Sequence, residues 1–469
     1  MRSRLILLVA LLVGAGAVPQ RIARADIAPP KTPPGTTLLP GVEGTYVRMV
    51  SETVTLAISV DPRDVTAAIA RTDAVFTMRN LGSAEERMQA RFPLSFFDGS
   101  SDGWFEFPEI PSITVKVDGR SVPTTRELQP PMEDADAYRE RDEIPWAVFD
   151  VAFPPAQDVL VEVSYTVRGY GYYPQTSFEY VLETGAGWNG TIGSADVIVR
   201  LPYVASPQNV FVDESALADL STPGGVFNGN EIRWHFEDLE PTRNDNILVE
   251  LIAPGLWQSI LKEQDAVKRN PRDGEAWGRL AKGYKEAARL PKGWLRDDPA
   301  GLELVALSRD AYQRCLSILP KDPLWHYGYA ELLWAVYYWE VRGSGQGDTQ
   351  GVLPAALSEL HTTLELDPDN SLAKDLLLEI SSAVDGAVEQ DGDDYVFLAL
   401  TATPPPPTPY LNPPTATLYA STTALPPAYT PTPLPSAEPT ARNPLCAGVA
   451  VSFFLPAAAF VLSRRRTLS

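Results

Sequence analysis

The feature that most constrains this chain is a change of hydrophobic period near Pro254. Before it, Val54, Leu56, Ile58 and Val60 alternate with Thr55, Ala57 and Ser59. The runs 113–117, 148–151 and 159–163 have the same style. A period of two with β-branched and aromatic residues marks half-buried antiparallel strands. After Pro254, Trp257, Ile260, Leu261, Gln264 and Val267 recur at helical spacing, and Trp277, Leu280, Ala281 and Tyr284 repeat it. One backbone cannot satisfy both periods, so the pattern predicts two folded regions. An all-β sandwich is expected over 45–254, with room for two subdomains. An all-α helical domain is expected over 255–390.

Turn chemistry punctuates the β region. Asp118-Gly119, between Val117 and Val122, predicts a tight hairpin. Glycines at 185, 187, 190 and 193 allow a close strand reversal, with Trp188 capping the core beneath it. The stretch 130–144 is acidic and irregular, and reads as a surface loop. Its Glu133, Asp134 and Asp136 lack the spacing of a calcium-binding hand.

The ends carry their own signals. Arg2 and Arg4 precede an apolar or small-residue run from Leu5 to Val18, and Ala23-Arg24-Ala25 follows. This is the pattern of a secretory signal over 1–25. A Pro-rich segment, 26–44, leads into the β region. At the other end, 401–443 is rich in Pro and Thr, where proline fixes φ and removes donors. A disordered, extended linker is expected there. The 18 residues of 445–462 carry no charge, and Arg464, Arg465 and Arg466 follow them. They predict one transmembrane helix with an Arg-rich cytoplasmic tail over 463–469. The expected localisation is the cell membrane, single-pass, with the folded regions outside. Retention, proteolytic processing of this tail and acylation of Cys446 stay open.

Two resemblances enter on particular residues. The stretch Phe178 to Gly193, with Phe76 to Asn80 and Arg91 to Pro93, resembles a family of exported bacterial β-domains. That resemblance spans about 47–251 and implies a fold without an activity. Trp277, Leu280, Ala281 and Tyr284, then Ala311 and a closing Pro323, resemble the tetratricopeptide repeat over about 256–384. Leu280, Leu332 and Leu377 each stand nine residues after Pro271, Pro323 and Pro368. The proline spacings of 52 and 45 exceed the family's roughly 34, with the excess at 289–301 and 342–351. The resemblance implies a concave surface lined by first helices. Glu275, Lys282, Lys285, Tyr327, Trp334, Tyr337 and Tyr338 would be exposed on it, and the two lysines beside the aromatic strip would hold an extended, partly acidic peptide. The same aromatics would equally serve to pack beneath the insertion loops.

Several chemistries lack a motif. His235, His326 and His361 form no close ligand pair, so neither a metal nor a cofactor is expected. Neither a nucleophile elbow nor a phosphate-binding loop is present. Cys315 falls on a packed helix face, where an inert thiol is the default. A formal net charge of −21 disfavours nucleic acid as a partner. The expected role is therefore non-catalytic: a membrane-tethered extracellular protein presenting a protein- or peptide-binding surface. The competing reading is an exported hydrolase of an envelope polymer, with a carboxylate pair assembled by folding.

Overall fold

The computed structural model describes residues 39–40, 45–94, 110–129, 144–212, 221–290, 295–341, 348, 351–391 and 394–397. A two-residue strand, β1 (Leu39–Pro40), precedes a long hairpin of β2 (Val47–Asp61) and β3 (Asp64–Asn80). Then come β4 (Glu86–Pro93), β5 (Ile113–Val117), β6 (Arg120–Val122) and β7 (Thr125–Gln129). They are followed by β8 (Ile144–Phe153), β9 (Asp158–Arg168), β10 (Gln175–Tyr180) and β11 (Ile192–Arg200). The last strands before the helices are β12 (Val226–Asn228), β13 (Glu231–Leu239) and β14 (Ile247–Ile252).

Eight of these strands form one mixed sheet in the order β12-β13-β11-β2-β3-β9-β5-β6. Its pairings are antiparallel except β11 with β2, which run parallel. Alternation decides which face is buried. Val159, Val161, Val163, Tyr165 and Val167 of β9 point inward, beside Ala70, Ala74, Phe76 and Met78 of β3. On β2 the register shifts between Met49 and Ser51. This irregularity resets the alternation: Val47 and Met49 are buried before it, and Val54, Leu56 and Ile58 after it. The β5–β6 turn has positive φ at both Asp118 (49°) and Gly119 (74°), as a tight hairpin turn requires. At Gly193 a Cβ would lie 2.4 Å from the Val50 carbonyl oxygen, so only glycine fits where β11 meets β2.

A second sheet, β1-β4-β8-β7, packs over the first. Phe92 on β4 meets Tyr165 on β9 with ring centroids 5.3 Å apart. Phe153 on β8 meets Trp188 edge-on at 5.9 Å, and Trp188 is buried. Strands β10 and β14 pair separately.

Six α-helices follow among the described residues: α1 (Pro254–Arg269), α2 (Gly274–Ala287), α3 (Pro299–Ile318), α4 (Pro323–Val336), α5 (Val352–Leu366) and α6 (Ser371–Ala383). Asp273, Asp298, Asp322 and Asn370 cap four of them by accepting backbone N–H bonds. A π-helical turn, Tyr337–Val341, extends α4. The hairpin β15 (Glu389–Asp391) and β16 (Asp394–Val396) closes the described region.

The β content is as expected, but the fold class is not. A separate all-α tetratricopeptide domain is overturned on three counts. The helices after α1 have unequal lengths of 14, 20, 14, 15 and 13 residues. Two positions expected on an open concave face, Lys285 and Trp334, are only 3% and 4% exposed. Moreover, one apolar core runs without a break from Val47 on β2 to Ala356 on α5. Helix α1 packs on β2 and β3, and a Cβ on Gly255 would lie 2.3 Å from the Val65 carbonyl oxygen. Arg296, 2% exposed, fastens the α2–α3 connection to the β half. It donates to the carbonyls of Pro207 and Gln208 at 2.9 Å, forks onto Asp298 and lies 4.2 Å over the Phe211 ring. The described residues form one α+β unit.

The membrane placement also does not stand. No helix among the described residues is long and apolar enough to cross a membrane. The longest, α3, carries Glu303, Arg309, Asp310 and Arg314, charges that hydrocarbon would not accept. A transmembrane helix, and with it a single-pass cell-membrane localisation, is without support. The expected signal (1–25), linker (401–443), spanning run (445–462) and tail (463–469) all lie outside the described residues, as does the acidic cluster Glu133, Asp134 and Asp136.

Candidate functional site

Helix α4 is apolar almost all round, the pattern of a helix with most of its surface in the interior. Trp325, Tyr329, Ala330, Leu332, Leu333 and Trp334 are all buried. Its final turn widens into the π-helix, a local change that re-aims the side chains beyond it. Between this segment and α6 lies a cleft of about 480 Å³. Tyr327, Glu331, Trp334, Ala335, Tyr338 and Trp339 form one wall. Leu372, Asp375, Leu376 and Glu379 of α6 form the other, and Arg289 also lines the cleft. Both walls follow helical spacing: residues three and four apart share a face.

The aromatic wall is held in place. The Trp334 indole N–H donates to Glu379 Oε1 across the cleft at 2.7 Å. Its ring stacks on Tyr337 at 5.7 Å and 23°, and meets Tyr338 at 5.6 Å and 56°. Burial pushes the Tyr327 phenol up to about 12, so it stays a neutral hydroxyl near pH 7.

An ion-pair cluster runs from the cleft lining, at Glu331 and Arg289, inward to buried Lys285. Lys285 Nζ donates to Glu331 Oε2 at 2.5 Å and to the Gly328 carbonyl at 3.2 Å. Arg289 Nη2 donates to Glu331 Oε1 at 3.0 Å. Burial alone would raise the Glu331 carboxyl, but the two cations outweigh it and hold it below the ordinary glutamate range. Burial draws Lys285 below the ordinary lysine range, against the opposing pull of Glu331.

Of the candidate residues, the fold brings Tyr327, Trp334 and Tyr338 into the cleft. Tyr337 supports Trp334 from outside the lining. Lys285 is buried behind Glu331, while Lys282 and Glu275 are exposed away from the cleft. Sequence reasoning missed Arg289, Glu331, Trp339 and the whole α6 wall. Leu372, Asp375, Leu376 and Glu379 show a visible stripe, but its use depends on α6 returning beside α4.

Other polar clusters are structural in form. His235 sits between Asp196 and Glu237 at 3.0 and 2.9 Å, and these contacts raise its pKa. His326 contacts Glu359 at 2.5 Å and the Pro320 carbonyl at 3.1 Å. Burial drives the Cys315 thiol up to about 12. No group of three or more His, Cys, Asp or Glu among the described residues is placed to hold a metal ion.

No protein-family profile matches this chain, and no curated protein matches it. Solved structures do. One, from Legionella pneumophila, is described as a nutrient binding protein; it is 15% identical, with 59% of this chain and 98% of that one aligned, at a TM-score of 0.38. An M1 zinc metallopeptidase from Deinococcus radiodurans is 11% identical over 71% of this chain and 78% of that one, at 0.24. A mutant of that peptidase bound to a Tyr-Ser-Ala substrate is 9% identical over 44% and 42%, also at 0.24. Similarity this distant carries no argument about function, so the cleft must supply one.

Proposed function

We propose that this protein is a non-catalytic binding protein, and that the α4–α6 cleft holds a segment of a peptide or protein partner. The observation that carries this reading is an accessible cleft whose aromatic wall is already fixed. Tyr338 is 42% exposed and Leu372 is 55% exposed, one on each side of it. Trp334, itself stacked on Tyr337, packs against the Tyr338 ring. Pre-set aromatic surface lowers the ordering cost of binding, and such residues dominate interface energetics. Two of the three acids of the cleft are already engaged, which favours binding over hydrolysis: Glu331 is held by two cations, and Glu379 orients Trp334.

Selection of displayed peptides against the full chain tests this reading. Selected peptides should lose affinity for Tyr338→Ala and for Leu372→Ala, both of which sit at the surface and leave the core intact. Unchanged affinity for both variants would place the binding surface elsewhere.

A further inference from the structure

The sequence suggested a basic groove for an acidic ligand, whereas the assembled cleft has the opposite sign. Glu331, Asp375 and Glu379 face Arg289 alone. Glu331 is already balanced by Lys285 and Arg289. Asp375 and Glu379 therefore supply the charge presented to a ligand, both on the exposed side of α6. They stand four residues apart, so both lie along the same wall. Opposite them are the rings of Tyr327, Tyr338 and Trp339. Aromatic faces carry negative quadrupoles that attract an ammonium or guanidinium group. Carboxylates on one side and aromatic rings on the other form a site complementary to an organic cation. The cleft is also too large for one ammonium group, leaving space for the chain that bears it.

Resting on the peptide-binding reading above, we infer that the occupant of this cleft is a basic side chain, lysine or arginine, carried on an extended peptide. The ring faces of Tyr338 and Trp339 receive the cationic head and stem, and Asp375 and Glu379 receive its charge. Neither carboxylate variant should unfold the chain: Asp375 is exposed, and Glu379→Gln keeps an oxygen to accept from Trp334.

Calorimetric titration of the full chain with three probes tests this: a tetralysine amide, a tetraglutamate amide and tetramethylammonium. Tetralysine should bind and tetraglutamate should not. Asp375→Asn and Glu379→Gln should each weaken tetralysine about two- to fivefold, the range of a partly exposed ion pair. Tyr338→Ala should weaken it by a similar factor. Added salt should weaken wild type more than the double carboxylate variant. Tetraglutamate binding that survives both carboxylate changes would overturn the cationic assignment while leaving the peptide-binding reading intact. Saturable binding of tetramethylammonium without tetralysine would overturn the peptide as its carrier. If none of the three binds, and displayed peptides are indifferent to Tyr338→Ala, the cleft is not a binding site.

Discussion

The two halves of the molecule hold their acids differently, with Asp61 of β2, buried against Arg63, an ion-paired exception in the β half. In the β half, Glu52 is 1% exposed and accepts a 2.7 Å bond from the Tyr180 hydroxyl. Glu250, 4% exposed, accepts from Ser177 Oγ. In the helical half, acids meet cations: buried Asp298 is paired with Arg296, and half-buried Glu331 with Lys285 and Arg289. A hydroxyl orients a carboxylate without adding charge to the interior. An ion pair instead leaves a buried charge whenever one member is lost. The hydroxyl contacts knit β2 to β10 and β10 to β14. Of the ion pairs, Lys285 with Glu331 joins α2 to α4, whereas Arg296 and Asp298 stand two residues apart in the α2–α3 connection. The cleft opens directly in front of one of these pairs.

The difference can be broken most forcefully at Arg296. Arg296→Ala strands Asp298 and removes two carbonyl contacts to 207–208. A loss of about 3–5 kcal/mol is expected by chemical denaturation. Arg296→Lys should lose less but not recover wild type, because an ammonium cannot reproduce the fork. Two separate unfolding transitions in wild type would show that the halves are not one cooperative unit.

The next effect belongs to Glu331. Glu331→Gln leaves Lys285 buried without its acid, at a cost of about 3 kcal/mol. Lys285→Met should cost less, since Glu331 keeps Arg289; the reverse order would refute the charge assignment. Glu331 is depressed in the folded state, so its contribution is complete above its ordinary value of 4.5 and fades as pH falls through the folded value. The acid limb of stability should therefore flatten in Glu331→Gln.

A smaller change is expected in the β half. Tyr180→Phe removes one donor from Glu52 and should cost about 1–2 kcal/mol by urea denaturation. A loss equal to that of Glu331→Gln would erase the distinction between the halves.

The smallest expected effect is at His326. The hydrogen bond to Glu359 raises its pKa, chiefly over an opposing burial effect. The contribution is present in full below 6.5 and is lost as pH rises through the folded value. Melting temperatures of wild type and Glu359→Gln should differ at pH 5.5 and converge at pH 9. A constant difference would assign Glu359 a packing role.

What could be read in advance was local. Periods of two and 3.6 identify strands before Pro254 and helices after it, because each reports which positions share a face. Asp118-Gly119 marks its hairpin because few residues tolerate positive φ at both positions. Periodicity does not say which face meets which. That β11 runs parallel to β2 about 140 residues earlier, or that Lys285 lies against Glu331, is decided by long-range packing. Reading the lysines as groove-facing made the surface look basic. Folding instead buried Lys285 and brought Asp375 and Glu379 to the rim. The sign of the cleft is therefore a tertiary property: it depends on which charges are neutralised inside and which are left facing water.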